Sequence, residues 1–424
     1  MKTQRTLTMI FAIIIMITYC PVIFAQGIPD PNFGSEGSVL TKIQSGRDDI
    51  AQSVAIQSDG KIVVAGNSFN IIGYSNIGVV RYNKNGKLDK TFNGTGKKII
   101  NDGFCNVVVV QPDGKILIGG SVAIGSTTAF GLWRLNSDGS TDNTFGTNGY
   151  QTVSFPAGYV ICFAMALQPD GKILIGGNDG NYYASAASLA LARLTPNGAL
   201  DNTFSDDGKF TLKLTKKSLA CQKILLLSDG KILAAGQLDT VIDPNFHDEF
   251  FATRLNTDGT IDNTFGTDGM VREKNATTST SDVCYSASLL PDGRMVMAGM
   301  SKIGGVYTSS VLCLNGNGSV DNTFGTNGWQ NFTFYGSTGI LYSTLAQKNN
   351  KIILVGSVTS GSIGVARLTG DGNLDPTFAN AGLDTFFVSS TGIGANDAVM
   401  QKNGNIVITG FKNKSKDYFL TARI

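Results

Sequence analysis

The residues best suited to chemistry lie in one polar segment, Gln237 to Glu249. It contains His247, the only histidine in the 424-residue chain. A histidine-rich metal site is therefore excluded, and a Ser-His-Asp triad would depend on this one side chain. Glycoside hydrolysis needs only two carboxylates, separated by about 5 to 9.5 Å. The segment supplies four acids: Asp239, Asp243, Asp248 and Glu249.

Aromatic residues occur in this segment and in its counterparts elsewhere in the chain. Aromatic rings among polar loop residues suit stacking on sugar rings or anchoring a protein partner. The alternative is an ordinary surface loop without a ligand. We predict ligand binding by Tyr74, Tyr182, Tyr183, Asp243, Phe246, His247 and Tyr307. We predict no catalytic residue and no metal ligand among them.

Internal repeats determine where these loops must lie. The motif that begins Asp142-Asn-Thr-Phe recurs at intervals of 53 to 61 residues. Its counterparts begin at Asp30, Asp89, Asp201, Asp262, Asp321 and Asp375. About thirty residues after each copy comes a second motif, such as Pro169-Asp-Gly-Lys-Ile-Leu-Ile-Gly-Gly177. Seven ordered copies of both motifs indicate a repeat protein.

Each repeat contains four runs that are typical of β-strands. In the third repeat, Cys162–Gln168 and Lys172–Gly176 flank an Asp-Gly pair, which predicts a hairpin with a type I′ turn. Leu189–Leu194 is predicted as the third strand, and Gln151–Phe155 illustrates the fourth. The runs are almost continuously apolar, so both faces of each sheet are expected to be buried. Small sheets buried on both faces and repeated radially are the blades of a β-propeller.

The two ends of the repeat region predict how the ring closes. Val39–Ile43 is a fourth strand without a blade of its own, and Thr421–Ile424 is a third strand without a fourth. We therefore predict an all-β, seven-bladed β-propeller with four-stranded antiparallel blades, in which the N-terminal strand completes the C-terminal blade. Pairing of these strands would remove the exposed edges. The propeller is predicted to be one domain spanning residues 26–424.

These motifs resemble those of the delta-60 repeat family of secreted bacterial propellers. The resemblance rests on the Asp142 motif, the Pro169 hairpin and the strand Ala192-Arg-Leu-Thr-Pro-Asn-Gly198, and it extends from Asp30 to Ile424. It implies a propeller in an extracellular or envelope location. It implies no established activity and no catalytic residues.

Three residue types recur at fixed positions and are expected to build the blades. The Asp that begins each motif is expected to accept a backbone N–H bond two residues on. The Phe of each motif is expected to fill the space between blades: Phe33, Phe92, Phe145, Phe204, Phe265, Phe324 and Phe378. An Arg on the third strand is expected to pair with turn carboxylates or carbonyls rather than to form an anion funnel. These are Arg81, Arg134, Arg193, Arg254, Arg367 and Arg423, with Cys313 in the remaining blade.

Cysteines and Asp-Gly turns raise the question of metal binding. Cys105, Cys162, Cys221 and Cys284 share one position on four consecutive innermost strands. We expect free thiols, since cysteine also serves as a small buried apolar residue, and a four-thiolate site is the alternative. The turns at Asp138 and Asp258 resemble calcium loops but lack the EF-hand pattern. Polar turn chemistry is the expectation for them and calcium the alternative; no other cofactor is predicted.

The N-terminus and the charge of the chain limit location and partners. Lys2 and Arg5 precede an apolar run, Leu7–Ile17, and residues 1–25 are predicted to be a signal peptide. The run is shorter than the roughly 20 residues of a membrane span. Removal of the peptide leaves 32 basic and 32 acidic residues, so neither nucleic acid nor an anionic membrane is predicted as a partner. We expect a monomer that is secreted, periplasmic or on the cell surface.

The sequence favours a non-catalytic protein that binds a glycan or an extracellular protein through its loop-rich face. The alternatives are a polysaccharide hydrolase or lyase that uses loop carboxylates, and a structural subunit of the envelope. On the innermost strands, Lys223 and Asp397 share a position that is mostly occupied by small residues in other repeats. They are predicted either to line a polar channel or simply to be solvated.

Overall fold

A computed structural model describes residues 28–69, 75–180, 187–240, 248–359, 361–386, 392–412 and 417–424. Over these ranges the chain forms 28 β-strands. None of the described residues belongs to a helix that is long and apolar enough to cross a membrane. The predicted signal peptide, residues 1–25, lies outside the described residues.

The strands follow one another along the chain in groups of four, after a first strand that stands apart. In the N-terminal half they are β1 (Ser38–Thr41), β2 (Asp48–Ile56), β3 (Ile62–Phe69), β4 (Ser75–Tyr82), β5 (Lys97–Ile100), β6 (Phe104–Val110), β7 (Ile116–Ile124), β8 (Thr127–Leu135), β9 (Tyr150–Val153), β10 (Val160–Leu167), β11 (Ile173–Asp179), β12 (Ser188–Leu194) and β13 (Lys209–Leu212). In the C-terminal half they are β14 (Lys217–Leu226), β15 (Ile232–Thr240), β16 (Glu249–Leu255), β17 (Met270–Glu273), β18 (Ser279–Leu289), β19 (Met295–Ile303), β20 (Val306–Leu314), β21 (Trp329–Phe332), β22 (Gly339–Ala346), β23 (Ile352–Val358), β24 (Ser362–Leu368), β25 (Leu383–Phe386), β26 (Ile393–Met400), β27 (Ile406–Lys412) and β28 (Tyr418–Arg423).

The strands form seven four-stranded antiparallel sheets, which confirms the predicted seven-bladed propeller. Blades 1 to 6 each use four consecutive strands, from β2–β5 to β22–β25. In blade 7, β1 pairs with β28, with Ser38 opposite Ala422 and Thr41 opposite Phe419. The closing strand thus begins one residue before the predicted Val39 and ends two before Ile43. Since β2 also contacts β26 and β27, blade 1 packs against blade 7.

The hairpin between the first and second strands differs in detail from the prediction. In blade 3, the N–H of Gly171 donates to the carbonyl of Gln168 at 2.9 Å, and the N–H of Gln168 donates to Lys172 at 2.9 Å. Gly171 has φ of 84°, whereas Asp170 is not among the described residues with positive φ. The predicted type I′ turn, which needs positive φ at both residues, is therefore wrong. The loop has three residues, with a type I turn followed by a left-handed glycine.

The apolar core lies between neighbouring blades. One cluster joins Leu117 and Phe130 of blade 2 to Cys162 and Ile173 of blade 3, and the same kind of cluster recurs around the ring. The phenylalanines of the repeated motif are at most 1% exposed, as predicted. The almost continuous apolar runs are explained by this packing, because both faces of each blade contact another blade.

A buried ion cluster ties the turns of each blade together. In blade 2, Asp142 Oδ2 lies 2.7 Å from Arg134 Nε and 2.9 Å from Lys115 Nζ. Its Oδ1 accepts the N–H of Thr144 at 3.1 Å, and Arg134 donates onward to the carbonyl of Pro196 in blade 3 at 2.6 Å. Burial raises the pKa of Asp142, but the hydrogen bonds and cations outweigh it and hold that pKa well below 3.8. The predicted Arg pairing is thereby confirmed.

Blade 5 builds the same cluster from a different residue. Its third strand carries Cys313 in place of the arginine, and Arg294 occupies the hairpin position at which blades 1 to 4 carry lysine. Arg294 Nη1 lies 2.8 Å from Asp321 Oδ2, so the motif carboxylate still has a cationic partner. One arginine thus replaces the usual pair of Arg and Lys.

Candidate functional site

Every innermost strand has a β-bulge at the same position. In blade 3 the pairing of β10 with β11 shifts between Cys162 and Ala164, and the corresponding shift occurs in all seven blades. A bulge inserts one extra residue and redirects its side chain. The extra residues are Gln52, Asn106, Phe163, Gln222, Tyr285, Tyr342 and Asn396. We call these seven residues the bulge ring.

The bulge ring lines a cavity of about 390 Å³. Because residues from all seven innermost strands contribute to it, this cavity is the central channel of the propeller. All seven bulge-ring side chains are half-buried, so they face the channel without being sealed in the core. The volume falls within the range of about 300 to 1,000 Å³ that is usual for ligand sites. The bulge ring contributes three aromatic side chains and four amides to its wall.

Hydrogen bonds and ring contacts hold parts of this wall in place. Asn106 Nδ2 donates to the carbonyl of Cys162 at 2.6 Å, and Asn396 Nδ2 donates to the carbonyl of Ala51 at 2.8 Å. Each bond crosses from one blade to the next. The rings of Tyr285 and Tyr342 lie 5.0 Å apart and are tilted by 54°. The channel wall is thus ordered by contacts between blades.

Two charged side chains line the channel, Lys223 on blade 4 and Asp397 on blade 7. Asp397 Oδ2 accepts hydrogen bonds from Ser53 Oγ at 2.9 Å and from the N–H of Val54 at 3.1 Å. Its Oδ1 accepts the N–H of Ala398 at 2.9 Å. Asp397 therefore joins blade 7 to blade 1. In the described part of the chain no carboxylate forms an ion pair with Lys223.

Two buried amide oxygens line the same channel beside Lys223. Asn178 on β11 is 1% exposed, and its Nδ2 donates to the carbonyl of Gly180 at 2.8 Å. Neither Asn178 Oδ1 nor Gln237 Oε1 has a hydrogen-bond partner among the described residues. Buried polar atoms without partners are uncommon in folded proteins and cost about 1 to 3 kcal/mol each. These two acceptors lie on the neighbouring blades 3 and 4.

The predicted binding residues lie mostly beyond the described ranges. Tyr74, Tyr182, Tyr183, Asp243, Phe246 and His247 all fall outside the described residues. Tyr307, at the start of β20, is 41% exposed, and Lys302 Nζ lies 5.1 Å from the centre of its ring. Its carbonyl accepts a hydrogen bond from Thr338 of the next blade at 3.1 Å. This contact places two kinds of loop, from second to third strand and from one blade to the next, on one face.

Apolar side chains are exposed on that face, which we call the loop face. Ile161 lies near the start of β10, lines the channel and is 43% exposed. Since β10 begins at the loop face, the channel opens on that face. Phe104 occupies the same position on β6 and contacts Phe69, with the ring centres 6.0 Å apart. Further exposed residues of this face are Ile124, Tyr159, Val306 and Tyr335. The rim of the channel mouth is therefore partly apolar.

Two of the four loop acids that were candidates for hydrolysis, Asp239 and Asp248, form a pair, while Asp243 lies outside the described residues. The carboxyl groups of Asp239 and Asp248 lie close enough for each to influence the ionisation of the other. Burial, followed by the charge of Asp239, raises the pKa of Asp248 to about 6. Glycosidase acids are held about 5 to 9.5 Å apart with the sugar between them, whereas these two carboxyl groups interact with each other. Glu249 forms two ion pairs: its Oε2 lies 3.1 Å from Arg272 Nε, and its Oε1 lies 3.7 Å from Lys217 Nζ.

The cysteines contribute to packing in the structure. All five cysteines among the described residues are buried, free thiols. Cys221 Sγ lies 3.1 Å from the position that a Cβ on Gly176 would occupy, so the two small residues fit together between blades. Burial raises the pKa of Cys284 to about 12, which disfavours the thiolate.

The bulge ring was not predicted from the sequence, although its position can be read from a repeated one. Each ring residue directly follows the position shared by Cys105, Cys162, Cys221 and Cys284. The residue types at the ring position differ from blade to blade, so no motif marks them. In a regular strand, side chains alternate between the two faces of the sheet. The bulge interrupts this alternation, so the direction of a ring side chain cannot be read from the sequence pattern. Lys223 and Asp397 do line a polar channel, one of the two roles considered for them.

These features define a closed β-propeller whose channel opens on one face and carries polar and aromatic side chains. A family model described as "Domain of unknown function (DUF5122) beta-propeller" matches six segments, which together cover half of the chain. The segments are residues 57–92, 111–145, 168–204, 227–265, 290–324 and 347–378. The chain belongs to this family.

Solved structures with the same fold are distant in sequence. One is a protein of unknown function from Dyadobacter fermentans, with 12% identity and a TM-score of 0.51, covering 93% of this chain and 99% of that one. A polysaccharide lyase of family PL25, an ulvan lyase solved with a bound -[GlcA(1-4)Rha3S]- saccharide, has 11% identity and a TM-score of 0.50, covering 90% and 95%. No curated protein matches the sequence. At these identities the likeness concerns the fold alone.

Proposed function

We propose that this protein binds a glycan in its central channel, which the glycan enters from the loop face. The bulge ring is the observation that carries the proposal. Its aromatic rings, Phe163, Tyr285 and Tyr342, present flat apolar surfaces to the apolar faces of sugar rings. Its amides present donors and acceptors to sugar hydroxyls. An apolar site with a few convergent polar groups is the usual composition of a ligand pocket.

The proposed role is binding without cleavage. Asp239 and Asp248 interact with each other, and Glu249 is paired with Arg272 and Lys217, so these acids are engaged within the protein. One solved structure with a similar fold is a polysaccharide lyase, and cleavage is therefore one outcome that the test must detect. The residues at positions 1–25 and the resemblance to delta-60 repeat proteins support export, and we propose a monomer outside the cytoplasm.

The test compares a channel aromatic with a loop-face aromatic in the protein spanning residues 26–424. We expect Phe163→Ala and Tyr285→Ala to weaken binding of an oligosaccharide at least tenfold in isothermal titration calorimetry, about 1.4 kcal/mol. Tyr307→Ala tests the loop-face site predicted from the sequence, and it should bind as the wild type does if the glycan lies in the channel. Thermal unfolding of each variant shows that it is folded.

Other outcomes would replace the proposal. Loss of binding in Tyr307→Ala alone would move the site to the loop face. Shortened products after long incubation would indicate an enzyme. If no oligosaccharide binds while an extracellular protein does, the exposed apolar residues of the loop face, such as Phe104 and Ile161, become the binding surface.

A further inference from the structure

Blades 3 and 4 differ from the other blades where they meet the channel. They carry its one lysine, Lys223, and both of the partnerless buried amide oxygens among the described residues that line it, on Asn178 and Gln237. Ile161 and Phe163 of blade 3 add an apolar surface beside them. We call these five residues the blade 3–4 subsite.

The positive charge of Lys223 is not used by the fold. Other partly buried lysines that face carboxylates form ion pairs, as Lys115 does with Asp142 at 2.9 Å and Lys217 with Glu249 at 3.7 Å. The remaining charge of the channel, Asp397, lies three blades further along the seven-membered ring and is bound by Ser53 and by backbone N–H groups. A lysine in a half-enclosed site with no carboxylate partner favours an anion.

The two amide oxygens specify the rest of the ligand. Asn178 Oδ1 and Gln237 Oε1 are acceptors, so they need donors such as hydroxyl groups. Asn178 is 1% exposed, and its Nδ2 donates to the carbonyl of Gly180. This bond fixes the orientation of the amide and leaves Oδ1 as the atom without a partner. A ligand that supplies hydroxyl donors, one negative charge and an apolar face has the chemistry of an acidic sugar.

We infer that the blade 3–4 subsite selects a sugar carrying a negative charge, with Lys223 binding its carboxylate or sulfate group and Asn178 and Gln237 accepting its hydroxyl hydrogens. This inference rests on the proposed glycan binding and names its ligand class. Phe163 then packs against the apolar face of the same sugar. A carboxylate and a sulfate share the chemistry that Lys223 recognises, and the experiment distinguishes them.

The experiment uses ligands that differ in charge alone. Residues 26–424 are titrated calorimetrically with an oligogalacturonate, with its methyl ester, and with a sulfated oligosaccharide beside its desulfated form. We expect at least one acidic ligand to bind ten times or more tighter than its neutral counterpart. This preference should weaken as salt is raised, because added ions screen the attraction.

Variants assign the charge preference to Lys223. Lys223→Gln should abolish the preference and leave binding of the neutral ligand almost unchanged, whereas Lys223→Arg should keep it. Lys302→Gln, on the loop face beside Tyr307, is the matched control and should behave as the wild type. Gln237→Met should weaken acidic and neutral ligands alike, since it removes an acceptor and no charge.

The outcomes separate this inference from the proposed function. If neutral and acidic forms bind equally, or if Lys223→Gln keeps the preference, the inference is overturned while glycan binding stands. If none of these ligands binds, proposed function and inference fail together. Thermal unfolding midpoints that match the wild type show that a lost preference does not come from misfolding.

Discussion

Replacement of Asp248 by asparagine is expected to stabilise the protein at neutral pH and to have no such effect in acid. Asp248 lies between blades 4 and 5, where it interacts with Asp239 and accepts a hydrogen bond from Ser281 Oγ at 2.6 Å. Burial and the charges of Asp239 and Asp282 raise its pKa to about 6. Asparagine has the same shape, can accept from Ser281 and donate to Asp239, and carries no charge.

The magnitude follows from the pKa of Asp248. A rise from 3.8 to about 6 corresponds to about 3 kcal/mol, at about 1.4 kcal/mol per unit. Because the two aspartates titrate as a pair, only part belongs to Asp248, and we expect about 1 to 2 kcal/mol. The pKa of Asp248 is higher in the folded than in the unfolded protein, so its ionised carboxyl group destabilises the folded state. This destabilisation is complete above about pH 6 and disappears as the pH falls below about 4.

Urea unfolding at about pH 4, 6 and 7.5 measures this difference. Asp258→Asn is the control: hydrogen bonds from Thr260 lower the pKa of Asp258, so its effect should stay constant across this range. Aspartates of the motif ion clusters, such as Asp142, also have lowered pKa values and lose their stabilisation only in stronger acid. A benefit of Asp248→Asn that is equal at all three pH values, or a loss at pH 7.5, would refute the reasoning.

Three further predictions concern the framework. Asp142→Asn breaks a buried ion cluster and should cost about 3 kcal/mol in urea unfolding, whereas Asp138→Asn on the exposed turn should cost under about 1 kcal/mol; equal losses would contradict the assigned cluster. Thiol titration of denatured, unreduced residues 26–424 should count five thiols, with slow reaction in the native protein; a count near one would indicate two disulfides. Removal of residues 26–41 deletes β1 and should lower the calorimetric unfolding midpoint markedly; an unchanged midpoint would contradict closure by this strand.

The architecture could be predicted from the sequence because its determinants repeat. Every blade needs the same motif Asp, the same Phe between blades and a cation for the Asp, so seven copies show which residues the fold requires. Even the exception is regular, since Arg294 supplies the cation where Cys313 replaces the usual arginine. The hairpin turn was assigned to the wrong type because one left-handed glycine suits both a two-residue and a three-residue loop.

The candidate site could be predicted only in part, for a physical reason. Ligand binding was predicted on long variable loops, and of the residues named there the structure describes only Tyr307. The channel wall depends instead on a bulge, which a hydrophobic pattern does not reveal because the flanking residues remain buried. Lys223 was a candidate channel residue because of its charge. Which side of the strand it faces depends on the β-bulge between Cys221 and Lys223.

The distribution of charge also explains why this fold can vary its ligand without losing stability. The motif aspartates, arginines and lysines are paired at the turns on the face opposite the loop face, where Asp142, Arg134 and Lys115 form one of the clusters. The bulge ring contributes side chains to the channel while the backbone around it keeps its pairing. Substitution of a side chain that lines the channel therefore changes the channel wall with little effect on the clusters. On this reasoning Phe163→Ala and Lys223→Gln should alter binding far more than unfolding, whereas Asp142→Asn should do the reverse.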